Sequence, residues 1–305
     1  MAAGPTWILA TAALTIVAGP LALGLAGLIS ARAPHAAPTA SAPAGWRLSA
    51  ASTLLYVLAF NLTFFLQELC LVLPKALTPG LRPTLYHNNH SWEGTNPLAA
   101  LFQGTGALAT LAVGLFCLWL LRRPRPWPGG TRLLLFWMAY VGCFMALPQI
   151  VIGALSSGSD VGMAMGYLQF DAGARLGAGL LALGLMPLVA LLLRQPSFAI
   201  ADSPAAIASP GARTRFVFRA VTLPALLASA LVIPFRIPRE PLEVVLVPLL
   251  VVLPGIPWIQ AGAWRTRVAA ANGAATAWRL AYPFAAVVAL LLFFQFVLRP
   301  GIRFY

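Results

Sequence analysis

AFNLTFFLQELCLVLPK, Ala59 to Lys75, is the stretch whose reading decides the fold. It holds two charges in an otherwise apolar run that extends over 48–74, and as a helix that run crosses hydrocarbon roughly 30 Å thick, for which about 20 residues suffice. Working outward, seven more apolar runs fall at 6–29, 98–121, 133–153, 173–194, 216–235, 243–264 and 280–298. The chain is 60% hydrophobic and 9% charged, against about 25% charged in a typical soluble domain. Such a chain cannot cover itself with a wettable surface. The expectation is an all-α, polytopic helix bundle of about eight membrane spans in the lipid bilayer, one transmembrane domain over 1–305. Ala/Pro-rich flexible linkers are expected at 31–47 and 195–215.

The net charge is +13, and nineteen of the twenty basic residues are Arg. They sit at the ends of apolar runs, where basic residues set topology and meet lipid headgroups, so nucleic acid is not an expected partner. One set of alternate loops carries thirteen: Arg32, Arg47, Arg122, Arg123, Arg125, Arg132, Arg194, Arg213, Arg215, Arg219, Arg265, Arg267 and Arg279. The other set carries seven: Lys75, Arg82, Arg175, Arg236, Arg239, Arg299 and Arg303. The positive-inside rule puts the richer set in the cytoplasm, which places both termini outside. The start lacks a basic segment of the signal-peptide kind and reads as the first span. Arg in place of Lys, with abundant Ala and Gly, suggests a GC-rich bacterial genome and hence a bacterial cytoplasmic (inner) membrane. Cys70, Cys117 and Cys143 read as buried small hydrophobes.

The acids play no part in that assignment. Glu68, Glu93, Asp160, Asp171, Glu240 and Glu243 nevertheless map to the outer half, with only Asp202 on the inner side. Glu68 is the sharpest residue, because an ionisable group at that depth usually faces a polar interior and has a partner. Asn61, Glu68 and Lys75 are spaced by seven, one helical stripe, with Gln67 adjacent about 100° away. Glu68 reads either as a proton carrier, general acid/base or metal ligand, or as a packing ion pair.

Leu85 to Gly94, LYHNNHSWEG, holds two of the three histidines. His87, His90 and Glu93 are three apart, so on a 3₁₀-like turn they point one way. Imidazole plus carboxylate suits Zn, Fe or Mn, and a loop stiffened by Pro74, Pro79 and Pro83 can bring both histidines above Glu68. The same residues also make an ordered outer loop with Trp92 at the headgroups. Asp160, Tyr167 and Asp171 form a second outer cluster. Asp171 and Arg175 are four apart, as in a helical ion pair at an early start of the fifth span, or else an aspartate completes the Glu68 site. Arg236, Arg239, Glu240 and Glu243 read as a solvated turn or an anionic-headgroup site. His35, in the first linker, is not expected to take part.

Within spans, Gly106, Thr110 and Gly114 present a small-residue face, and Pro248, Pro254 and Pro257 predict a kinked or interrupted seventh span. There is no P-loop, GxSxG or repeat. Three functions fit. The first is an enzyme acting on a membrane-associated substrate, with Glu68 and Glu93 as catalytic acids or bases and His87 and His90 holding a divalent metal. The second is a non-catalytic accessory or scaffold subunit docked on a membrane-protein partner. The third is a transporter with Glu68 as coupling carboxylate.

Overall fold

The computed structural model describes residues 3–31, 45–266 and 279–305. Arg32, His35, Arg267 and most of the first linker lie outside the described residues. Among the described residues eight helices are long and apolar enough to cross a membrane: Pro5–Ser30, Trp46–Ala76, Leu98–Arg122, Gly129–Leu155, Ala172–Phe198, Pro210–Arg236, Pro241–Arg265 and Ala281–Leu298. The protein is a multi-pass membrane helix bundle, and each span lies within a few residues of its apolar run. Over 195–215 the chain is largely helical: the fifth span runs to Phe198, a 3₁₀ turn covers Pro204–Ile207, and the sixth span starts at Pro210 behind a Ser209 cap.

The second and fourth spans form the centre. Their apolar windows are 72% buried within the protein, against 11% for the first and eighth, whose remaining surface is left for lipid. Tyr56, Phe60, Phe136, Trp137, Tyr140 and Phe144 are fully buried between them, and Trp137 packs edge-on against Tyr56, Phe136 and Tyr140. The small-residue face of the third span works as expected. A Cβ on Gly106 would come within 2.9 Å of Gln67 and Leu71 on the second span, and one on Gly114 within 2.6 Å of the Cys143 backbone on the fourth.

The seventh span is interrupted, as its prolines predict. One helix ends at Val252 and the next starts at Ile256. The freed backbone groups are satisfied by one hydroxyl: Tyr140 donates to the Val251 carbonyl at 2.8 Å and accepts from the Ile256 amide at 3.1 Å. Phe144 fills the gap beside the break, where a Cβ on Gly255 would lie 2.5 Å from its ring.

One end of the bundle carries a small sheet that the periodicity of the sequence did not announce. Strand β1 (Arg82–Leu85) pairs antiparallel with β2 (His90–Glu93) and, on its other edge, with β3 (Ile302–Arg303) near the C-terminus. Gly94 has φ +107°, and a Cβ there would meet the Gly80 carbonyl at 1.9 Å, so the chain can leave β2 only through glycine. The connection between the sixth and seventh spans comes to the same end, because Asn88 Nδ2 donates to the Arg236 carbonyl at 2.8 Å.

Tyr140→Phe keeps the ring and removes the hydroxyl that bridges the broken span. The expected loss is about 1–3 kcal/mol, the cost of buried polar groups left unpaired, read as a lower unfolding midpoint in detergent. An unchanged midpoint would show that the break holds without it.

Candidate functional site

The site is built on the stripe Glu68–Lys75. Two helical turns separate these residues, about 10 Å of rise, and the imidazole of His90 is inserted between them from β2. His90 Nδ1 lies 2.8 Å from Glu68 Oε2, while Nε2 faces Lys75 Nζ at 3.3 Å and Gln103 Oε1 at 3.0 Å. Lys75 is fully buried, and its ammonium also donates to the Leu71 carbonyl at 2.9 Å and to Gln103 Oε1 at 3.0 Å. An ammonium has three donors and no acceptor. Leu71 O, Gln103 Oε1 and His90 Nε2 use all three. His90 Nδ1 faces the Glu68 carboxylate, so a proton carried there is donated to Oε2. Glu68 and Lys75 are thus joined through one imidazole ring, in a place where a lone charge would be costly.

The network extends sideways. Gln67 Nε2 donates to Glu68 Oε1 at 3.3 Å, and Gln67 Oε1 accepts from Gln149 Nε2 at 2.7 Å. Trp92 covers the imidazole: its ring stacks on His90 at 5.7 Å and lies 4.7 Å from the Lys75 ammonium, a cation–π contact. Trp92 therefore shields the charged pair as well as marking the bundle's edge.

Glu68, His90, Gln103 and Trp92 form part of the lining of a cavity of about 410 Å³, within the size range of small-molecule sites. Asp160, Arg236 and Arg239 also line it, and its apolar walls include Phe64, Met145, Ile152 and Val247. Asp160 starts the short helix Asp160–Tyr167. Burial, followed by the nearby Glu68 carboxylate, holds its own carboxyl above the usual carboxylate range.

Of the expected site residues, Glu68, Gln67, Lys75 and His90 meet, and Asp160 reaches the same cavity. The others do not. Glu93 is exposed, because β2 is a strand and not a turn. With period two, His90 and Trp92 face the bundle while Ser91 and Glu93 face away. His87 lies in the hairpin turn, buried near Arg236, Arg239 and Arg299, with neither ring nitrogen in a well-formed hydrogen bond. Asn61 bonds back to the Val57 carbonyl at 2.8 Å, two turns away from Glu68. Among the described residues no three His, Cys, Asp or Glu side chains stand together as a metal cluster.

The Asp171–Arg175 pair is corrected. Asp171 caps the fifth span, accepting from the Ala174 amide at 2.7 Å, and Arg175 Nε donates to the Phe170 carbonyl at 3.2 Å. The fifth span does not start early: Gln169 at φ +55° breaks the chain between the short helix and Ala172. A carboxylate at a helix start gains more from orphan amides than from a partner one turn on. Tyr167 is 40% exposed and stands outside the cavity lining.

Gln103 and Gln149 are members of the site that sequence reading passed over. Each is an uncharged amide in an apolar run, the same signal as Gln67, and a search for charges does not register it. Arg236 reads in the sequence as part of a solvated turn and is 3% exposed. Comparison with protein-family models, curated proteins and solved structures finds no match to the chain.

His90→Ala should cost about 3–5 kcal/mol, because it strands a buried carboxylate and a buried ammonium that share this ring. The midpoint of thermal unfolding in detergent reads the loss, and a change near zero would mean that water replaces the ring freely. A second expectation concerns pH. Burial first, then Arg299, Arg236 and Arg239, hold the His87 pKa below its ordinary 6.5, with the Ile237 backbone acting the other way. The unfolded chain therefore takes up this proton first on acidification, so the His87 contribution is complete above 6.5 and is lost as pH falls below it. Unfolding midpoints followed from about pH 8 to about pH 5 should show a smaller acid-side drop in His87→Asn than in the parent.

Proposed function

We propose that this protein is a bacterial cytoplasmic-membrane enzyme whose outward-facing Glu68–His90 pair performs acid/base chemistry on a membrane-associated amphiphile. The observation that carries the reading is the placement of the pair. A carboxylate and an imidazole, each with a side chain 7% exposed, are held 2.8 Å apart in the wall of a half-apolar cavity. A purely structural ion pair gains nothing from facing a cavity of ligand size.

In this reading Glu68 exchanges the substrate proton through Oε1, which has only the long Gln67 contact. His90 holds the other oxygen by its Nδ1–H, and Lys75 and Gln103 fix the ring at Nε2. The ammonium also stabilises the ionised carboxylate through the ring. Low dielectric and fixed partners are the conditions under which such a pair can be tuned for proton transfer. The apolar walls suit the hydrocarbon part of a substrate already in the bilayer. A divalent metal would have to displace Lys75 from His90 Nε2 and recruit Asp160 or Glu68, and elemental analysis of purified protein tests for it. Transport fits less well, since the fully buried aromatic core of Tyr56, Phe60, Trp137 and Tyr140 lies along the central spans. An accessory-subunit role would show itself as a stoichiometric partner on mild purification.

The test compares membranes from cells producing the parent protein, Glu68→Gln and His90→Gln at equal levels. Mass spectrometry of the lipid extracts should show at least one species consumed by the parent and spared in both variants, with turnover reduced by about 10²-fold or more. Identical extracts from all three would sink the enzyme reading.

A further inference from the structure

Arg236 is the side chain in this cavity that the acid/base pair leaves unexplained. It ends the sixth span, is 3% exposed, and lines the cavity together with Arg239. Its guanidinium lies over the Phe64 ring at 4.7 Å. Among the described residues its Nε and Nη1 have no hydrogen-bond partner, and it forms no ion pair within 4 Å. A buried arginine cannot escape its charge by losing a proton. Leaving the N–H groups of two nitrogens unmet there is costly unless something arrives to meet them.

The backbone that carries Arg236 is held firmly. Asn88 Nδ2 donates to the carbonyls of Arg236 at 2.8 Å and Pro238 at 3.3 Å. Gln295 Nε2 donates to those of Pro234 at 2.7 Å and Ile237 at 3.0 Å. Four carbonyls around the end of the sixth span are thus tied to the hairpin and to the eighth span. The side chain of Phe235, between them, is buried. Arg239 donates to the Asn88 carbonyl and pairs with Glu243, so the second cation is fixed as well. Of the carboxylates lining the cavity, Glu68 is compensated by His90 and Lys75, and Asp160 forms no ion pair with Arg236 within 4 Å.

We propose that Arg236, supported by Arg239, is the anion-recognition element of the cavity and that its ligand is an amphiphile whose phosphoryl head group carries a net negative charge, uncompensated by a cation of its own. Guanidinium donors fixed in a fork match phosphate oxygens, and the adjoining walls of Phe64, Met145, Ile152, Val247 and Leu250 receive the apolar part. The assignment rests on the proposed enzyme reading only for the identity of the substrate. Binding can be measured without turnover.

The experiment uses full-length protein in nanodiscs and native mass spectrometry, with phosphatidylglycerol, phosphatidylcholine and inorganic phosphate as probes. The parent should retain phosphatidylglycerol over phosphatidylcholine by at least about tenfold, and millimolar phosphate should not displace it. Arg236→Met should lose that preference, Arg236→Lys should keep part of it, and His90→Gln should retain it even if all turnover is gone. Equal retention of the two lipids by the parent, an unchanged preference in Arg236→Met, or displacement by free phosphate would each overturn the proposal. The first and third of these need no variant, so a failure of Arg236→Met to fold leaves the test intact. A protein without detectable turnover that still selects phosphatidylglycerol through Arg236 would sink the enzyme reading and leave this one standing.

Discussion

A carboxylate and an ammonium share one imidazole in the interior of this bundle, and the arrangement of the sheet-bearing end depends on that contact. Glu68 and Lys75 lie on the same helix, two turns apart, too far to neutralise each other directly. His90 closes the distance with Nδ1 at 2.8 Å from one and Nε2 at 3.3 Å from the other. To supply that ring, the loop after the second span must return over the bundle and stop in a defined register. The β1–β2 hairpin does this, and β3 from near the C-terminus completes its free edge. A sheet on top of a helix bundle is thus a device for delivering one side chain to a fixed depth.

The same hairpin holds the part of the cavity lining that carries Arg236. Asn88, in its turn, holds the Arg236 backbone, so the residues that place His90 and those that place Arg236 are neighbours in sequence. The interrupted seventh span contributes Val247 and Val251 to the lining, and its break is satisfied by Tyr140 from the fourth span. Broken backbone in a membrane is tolerated only where protein groups satisfy it. Here a single hydroxyl does so, next to Phe144, which belongs both to the aromatic core and to the cavity wall. The site is consequently supported by the most buried part of the molecule and not by surface loops alone.

Opposite charges are segregated in this cavity but not mutually paired. Glu68 is compensated along its own helix through His90, Arg239 pairs with Glu243 outside the lining, and Arg236 keeps Nε and Nη1 without a partner. An ordinary packing ion pair would have brought Arg236 to Glu68. The two stay unpaired although both line one cavity.

Composition and apolar run length determined the class, the number of spans and their limits to within a few residues, because the thickness of hydrocarbon imposes a minimum length on any helix that crosses it. The seven-residue spacing of Asn61, Glu68 and Lys75 marked a stripe of which Glu68 and Lys75, but not Asn61, meet His90. What sequence could not decide was which loop residues point at that stripe. His87, His90 and Glu93 look equivalent at a spacing of three, but pairing with β1 converts the spacing to a period of two and keeps only His90. Gln103, Gln149 and Arg236 are recruited from three different spans and share no local pattern. Their meeting depends on contacts between segments far apart in the chain, and those exist only once the bundle has packed.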